Sequence, residues 1–127
     1  MTDWRWISEA LIYAVHDRQI AEHGGLSGLR DPGAVISALA RPKHLAAYEE
    51  PDAATLAAAY CFGLARNHGF ADGNKRMAWI AARLFLKDNG RQLSFEKFEA
   101  VKLVEDVAAG KMSEEELAAW FRERVTP

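Results

Sequence analysis

Cysteine, proline and long apolar runs are scarce in this sequence, and each scarcity excludes something. Cys61 is the one cysteine among 127 residues, so neither an internal disulfide nor a cysteine-cluster metal site is open to the chain. Its neighbours Tyr60 and Phe62 mark it as a buried, inert thiol. No apolar run approaches the length of a membrane span, and residues 1–6 lack the charged and apolar regions of a secretion signal. The expectation is a cytoplasmic protein. An excess of one charge is also missing: 16 Lys and Arg against 18 Asp and Glu leave a net charge of −2. Nothing global therefore draws the chain to nucleic acid, and direct nucleic-acid binding is not expected. At 127 residues the chain is read as one domain, 1–127, large enough to bury a core by itself.

What the sequence has in plenty is alanine, and with only four prolines helices should dominate. The first begins at the N-cap Ser8, carries Leu11, Ile12, Val15 and Ile20 on one face, and ends at Gly24-Gly25. His16 and Asp17 on it read as packing or hydrogen-bonding residues, and His23 as a cation at the helix C-terminus. Asp31-Pro32 opens a short second helix as N-cap and first-turn proline. Asp31 is either a plain cap or a cap that also touches a site. Residues 41–51, bounded by Pro42 and Pro51, do not read as a clean helix. Asp52 caps a central helix through Leu56, Tyr60 and Leu64 to Arg66-Asn67, and Gly63 within it predicts a close helix crossing. A helix from Asn74 to Asn89-Gly90 carries Met77, Ile80, Ala81, Leu84 and Phe85 at helical spacing. After a short extended link, Arg91-Gln92-Leu93, Ser94 is expected to cap a helix bearing Phe95, Phe98, Val101, Leu103, Val104 and Val107, ended by Gly110. Ser113 and Glu116 form a capping box for the last helix, with Leu117, Trp120, Phe121 and Val125. The fold class is all-α, a compact bundle of about six helices.

The chemistry is concentrated in Asn67-His68-Gly69-Phe70-Ala71-Asp72-Gly73-Asn74-Lys75-Arg76, a loop between two central helices. Gly69 and Gly73 break the helical pattern, and the loop delivers Gly73 and Asn74 to a helix N-terminus. Free backbone N–H groups and the positive end of the helix dipole make such a place an anion site. Lys75 and Arg76 in the first turn work against that dipole, and an anion bound there would explain them. Asp72 is a hard oxygen ligand beside the phosphate-like site, where a magnesium ion shared with a nucleotide would be held. His68 is the one side chain of the set that accepts a proton near neutral pH. Phe70 reads as a core anchor for the loop, and Arg66 serves either phosphates or the helix end. Out of context the string is an ordinary polar turn. A zinc site from His68 and Asp72 lacks a third ligand nearby, and the order required of a P-loop is absent.

His68-Gly69-Phe70-Ala71-Asp72-Gly73-Asn74-Lys75-Arg76 resembles the signature of the Fic/Doc superfamily, His-Pro-Phe-x-Asp/Glu-Gly-Asn-Gly/Lys-x-x-Arg. Lys75 at the seventh place resembles the Doc (death-on-curing) toxin branch, where AMP-transferring Fic enzymes carry glycine. Gly24-Gly25-Leu26, Gly28-Leu29-Arg30-Asp31-Pro32-Gly33, Ala38-Leu39-Ala40-Arg41-Pro42 and Tyr48-Glu49-Glu50 are also similar to Doc-like toxins, and the likeness covers roughly residues 7–125. Gly69 stands where proline is usual, and Trp79 where AMP-transferring enzymes have a second arginine. The resemblance implies the Fic/Doc fold and a kinase acting as the toxin of a toxin–antitoxin pair. Its cofactors would be ATP and Mg²⁺, and its target a threonine of the translation elongation factor Tu, modified so that translation stops. His68 would be the base and Asp72 the metal ligand. Gly73, Asn74, Lys75, Arg76 and, on one reading, Arg66 would bind the nucleotide. It also implies a Phd-like antitoxin whose C-terminal segment folds as a helix over the active site, and a flap at residues 41–51 that positions the target; a solvated connector is the alternative there. Two other classes stand beside this one: a Fic-type adenylyl- or nucleotidyl-transferase, and a non-catalytic antitoxin-binding module.

Overall fold

The computed structural model describes residues 3–127. Met1 and Thr2, the start of the stretch read as lacking a secretion signal, lie outside the described residues. The chain forms α1 Glu9–His23, α2 Pro32–Tyr48, α3 Ala53–Asn67, α4 Asn74–Asp88, β1 Gln92–Leu93, α5 Lys97–Ala108, α6 Glu114–Arg124 and β2 Val125–Thr126. It is the all-α bundle expected. Four predicted starts are capped as the sequence implies. Ser8 accepts from the Leu11 N–H, Asp31 from Ala34 and Asp52 from Thr55, and Ser113 and Glu116 cap each other reciprocally.

The bundle is built around α3. Eleven of its 15 residues are buried, most of them alanine, so α2, α4, α5 and α6 can all pack against it. At Gly63 a side chain would lie 3.0 Å from the Ala38 Cβ of α2, which is the predicted close crossing. At one end Tyr60, Trp4 and Trp6 gather round Phe85. The Tyr60 hydroxyl accepts from the Ile7 N–H, and Asn89 exchanges hydrogen bonds with both backbone groups of Arg5. These contacts fasten the N-terminal segment to α3 and α4.

Several expectations need correction. The second helix is not short, and residues 41–51 are not irregular up to Pro51: α2 continues through Pro42 to Tyr48. Val35, Ala38, Leu39 and Pro42 form one buried stripe at helical spacing, and packing that stripe on α3 outweighs the roughly 3 kcal/mol that an interior proline costs. Ser94 is not a cap. Its N–H donates to the Arg124 carbonyl, continuing the antiparallel pairing of β1 with β2, and Glu96 caps α5 in a box with Glu99. Phe95 and Val125 accordingly lie outside helices, while Phe98 and Val101 stand exposed on α5. Leu11 is exposed as well, because α1 turns Ile12 and His16 inward.

Candidate active site

The motif loop is held by its own backbone and by two neighbours. α3 ends at Asn67, and His68 takes the left-handed conformation (φ 51°, ψ 44°) at the C-cap. It is the one non-glycine residue with positive φ among the described residues. Such a backbone costs of order 1 kcal/mol or more away from glycine, and strain of this kind gathers at functional sites. The turn it makes brings Phe70 into the core, as expected, where the ring stacks on His16 at 4.1 Å. His16 is buried, and its Nε2–H donates to the Asp72 carbonyl at 2.9 Å. It is a hydrogen-bonding residue as read, but its partner is the motif itself. Asp17 is exposed.

The segment before α2 supplies the second support. The Arg30 and Asp31 N–H groups donate to the Gly69 carbonyl and Ala71 donates to Gly28, forming a short antiparallel bridge of Leu29 with Phe70. At Gly69 a Cβ would run into Val35 Cγ2 and lie 3.0 Å from the Val35 nitrogen. Glycine, where the family usually has proline, thus lets the start of α2 press onto the loop.

The Asn74 carboxamide is engaged within the loop. Oδ1 accepts from the Phe70 N–H and Nδ2 donates to the Phe70 carbonyl, both at 3.0 Å. The side chain closes the loop on itself. Gly73, with φ 78°, begins α4 without a side-chain cap, so the first-turn N–H groups are left for other partners. Asp72 Oδ1 accepts from the Gly73 N–H at 2.8 Å and Oδ2 from Leu26 at 3.1 Å. The Leu26 bond, then that of Gly73, holds the carboxyl below the usual aspartate range, and Arg76 adds to the effect. Asp72 is exposed and ionised, with lone pairs left to give.

These residues surround a cleft of about 640 Å³, within the range of small-ligand sites. His68, Asp72, Gly73, Asn74, Lys75 and Arg76 all line it, together with Glu105 and Ala108 of α5 and its C-cap Ala109. Among the described residues neither Lys75 nor Arg76 is in an ion pair, although Arg76 also reaches the Gln19 carbonyl at 3.5 Å. Two unpaired cations at an uncapped helix N-terminus form a site for a polyanion.

A sequence profile described as the Fic/DOC family matches residues 6–86, the span that contains α1 to α3, the whole motif loop and all but the end of α4. The chain belongs to the Fic/DOC family. It is 39% identical over 119 residues to a protein of Escherichia phage P1 named Protein kinase doc, covering 93% of this chain and 94% of that relative. It is 41% identical over 102 residues to a protein of Mycolicibacterium smegmatis named Toxin Doc, covering 76% and 77%. Both relatives belong with the Doc branch that Lys75 suggested.

Within this Fic/DOC site one expected member stands apart. Arg66 does not line the cleft; its guanidinium lies 5.3 Å over the Phe62 ring and close to Gly110. One turn of α3 from Phe62 sends it toward the α5–α6 connection while Ala65 and His68 face the cleft. Conversely, Glu105 was not legible as a site residue. It lies far along the chain from the motif, and only the packing of α5 against α3 and α4 brings it across. The hydrogen bond from Leu26 to Asp72 had no sequence signal beyond the glycine-rich character of its segment.

Asp72 and Glu105 are the carboxylates of the cleft, and no group of three or more His, Cys, Asp or Glu residues suited to a metal occurs among the described residues. That set fits Mg²⁺, which is held by one or two carboxylates together with phosphate oxygens and water. Cys61 is fully buried, which pushes its thiol up to about 12 and leaves it unreactive, as expected. Among the described residues no helix is long and apolar enough to cross a membrane.

Proposed function

We propose that this chain is a Doc-type toxin, a protein kinase that transfers the γ-phosphoryl group of ATP to a threonine hydroxyl of elongation factor Tu and so arrests translation. The observation that carries the reading is the cleft itself. It sets a histidine, an ionised carboxylate, two unpaired cations and an uncapped helix N-terminus around a volume suited to a nucleotide. The names of the two relatives support kinase and toxin chemistry.

Each residue then has a task. His68, exposed at the mouth, accepts the proton of the target hydroxyl as its oxygen attacks the γ-phosphorus; the bond to the bridging oxygen breaks and ADP leaves. Asp72 is the residue that would hold Mg²⁺, which neutralises charge on the phosphates when bound. Lys75 and Arg76 balance the charge spread over the transferring group, and the N–H groups at the start of α4 bind its oxygens. Asn74 acts on the shape of the loop, keeping those donors and His68 in register. Phosphoryl transfer asks chiefly for positioning and electrostatic stabilisation, and these residues provide both.

The partner that restrains such a toxin would be a Phd-like antitoxin with a C-terminal helix lying over the cleft, and the toxin would act in the cytoplasm, where elongation factor Tu works. Induced expression tests toxicity. Wild type is expected to stop growth and protein synthesis, and His68→Ala to be harmless at equal protein level while still binding the antitoxin. Growth arrest by His68→Ala equal to wild type would remove the catalytic reading and leave a binding module.

A further inference from the structure

One buried histidine has no part in the reaction described above. Among the described residues no carboxylate, lysine, arginine or other histidine is buried, but His16 of α1 is only 2% exposed. A polar ring so placed needs a partner. It finds one in the backbone of the motif, where Nε2 lies 2.9 Å from the Asp72 carbonyl oxygen. A carbonyl only accepts, so the ring carries a proton on Nε2 and donates it. The Phe70 ring, stacked on His16 at 4.1 Å, fixes the plane from which it does so. Around this contact α1 backs the rest of the loop. The Gln19 carbonyl accepts from Arg76 at 3.5 Å, and Ile20 Cδ1 would lie 3.1 Å from a Cβ at Gly25 and 3.9 Å from one at Gly73.

The bond from His16 fixes one peptide unit, that between Asp72 and Gly73. Its carbonyl faces the buried ring, and its N–H donates at 2.8 Å to Asp72 Oδ1, whose residue lines the cleft. The two residue types do not by themselves select this orientation. Gly73 holds φ at 78°, and glycine takes negative φ as readily, so a paired change of ψ at Asp72 and φ at Gly73 turns the peptide over, as between type I and type II turns. Turned over, it would aim a carbonyl oxygen toward the cleft, withdraw a donor from the Asp72 carboxylate and leave His16 buried without its partner. The negative end of a peptide dipole there would repel the phosphates that Lys75 and Arg76 attract. We propose that His16 is a positioning residue: its Nε2–H locks the Asp72–Gly73 peptide with the N–H toward the cleft and so keeps the start of α4 an anion site. This role rests on the phosphate-binding reading above and adds to it a control exerted through α1, from behind the loop.

Two substitutions separate the donor from the ring. Glutamine places an amide nitrogen where Nε2 stands but gives up the stacked ring, and phenylalanine keeps the ring but gives up the donor. The test is calorimetric titration of magnesium tripolyphosphate and of MgATP into wild type, His16→Gln and His16→Phe, with a urea midpoint for each protein. His16→Gln is expected to bind both ligands within about threefold of wild type, and His16→Phe about tenfold or more weakly, the scale of a lost interaction with a charged group. That order should hold whichever variant is the more stable. Unchanged binding by His16→Phe, or a loss in His16→Gln as large as that in His16→Phe, would overturn the proposal and leave His16 a packing residue. A wild type that binds neither ligand would instead remove the phosphate reading of the cleft, and this role with it. The tautomer supplies a test that needs no variant. Long-range nitrogen–proton spectra of wild type labelled at histidine should show His16 protonated at Nε2, and a ring protonated at Nδ1 alone would contradict the proposal, since it has no proton to donate to Asp72.

Discussion

At the scale of single residues, the motif shows where function and stability are opposed. His68 holds a left-handed backbone that glycine adopts without cost. His68→Gly is therefore expected to raise the unfolding free energy by about 0.5–1 kcal/mol while abolishing phosphoryl transfer. Chemical denaturation and a transfer assay on the same preparation check both halves. Gly69 shows the opposite demand. A methyl group there meets Val35 too closely, so Gly69→Ala should cost about 1–3 kcal/mol. Because Val35 is the obstacle, Val35→Ala and Gly69→Ala together should cost less than the sum of the two alone, which a double-mutant cycle in urea measures. Position 69 departs visibly from the family pattern, but its sequence neighbours do not say what the glycine is for. In the fold glycine allows a closer contact, and that depends on Val35, a residue far from the motif in sequence. Asn74 is a similar case. Its residue type fits phosphate binding, and only its two bonds to Phe70 reveal that it shapes the loop.

At the scale of elements, Asp52 joins the start of α3 to α6. It caps Thr55 and receives Arg122 through Nε at 2.7 Å and a second guanidinium nitrogen at 3.2 Å. The bond from Arg122 is the main cause that holds its carboxyl well below the ordinary aspartate value, with the Thr55 hydroxyl and N–H contributing. A depressed folded-state value means that the stabilisation is complete above the unfolded-state pKa, near 4, and is lost as pH falls through the folded value. Asp52→Ala should cost about 1–2 kcal/mol at neutral pH, mostly from the lost cap. Asp52→Asn should cost under about 1 kcal/mol there, since the pair is half exposed. The gap between wild type and Asp52→Asn should close as pH falls below about 4, and urea midpoints measured across pH follow it. Capping was the most legible part of the chain because it depends on residues three apart. Pro42 and Ser94 were misread for the converse reason. The helix through Pro42 is decided by a stripe packed on α3, and the extended state of Ser94 by its bond to Arg124 at the other end of the fold.

At the scale of the whole molecule, the fold exists to bring α5 against the loop between α3 and α4. The family motif, its helix–loop–helix setting and the six-helix bundle were readable because they are local or periodic in sequence. The far wall of the cleft was not, since Glu105 and the two alanines after it look like any helix surface until the chain is folded. The proposed function rests on one claim above others: the group transferred is the γ-phosphoryl, and His68 takes the proton. The direct measurement is incubation of the purified protein with elongation factor Tu, Mg²⁺ and ATP labelled separately at the α or the γ phosphorus, with His68→Ala alongside. Label on the factor from the γ position, absent with the α label and lost in His68→Ala, is the predicted result. Label carried from the α position would contradict it and make the protein a nucleotidyl-transferase.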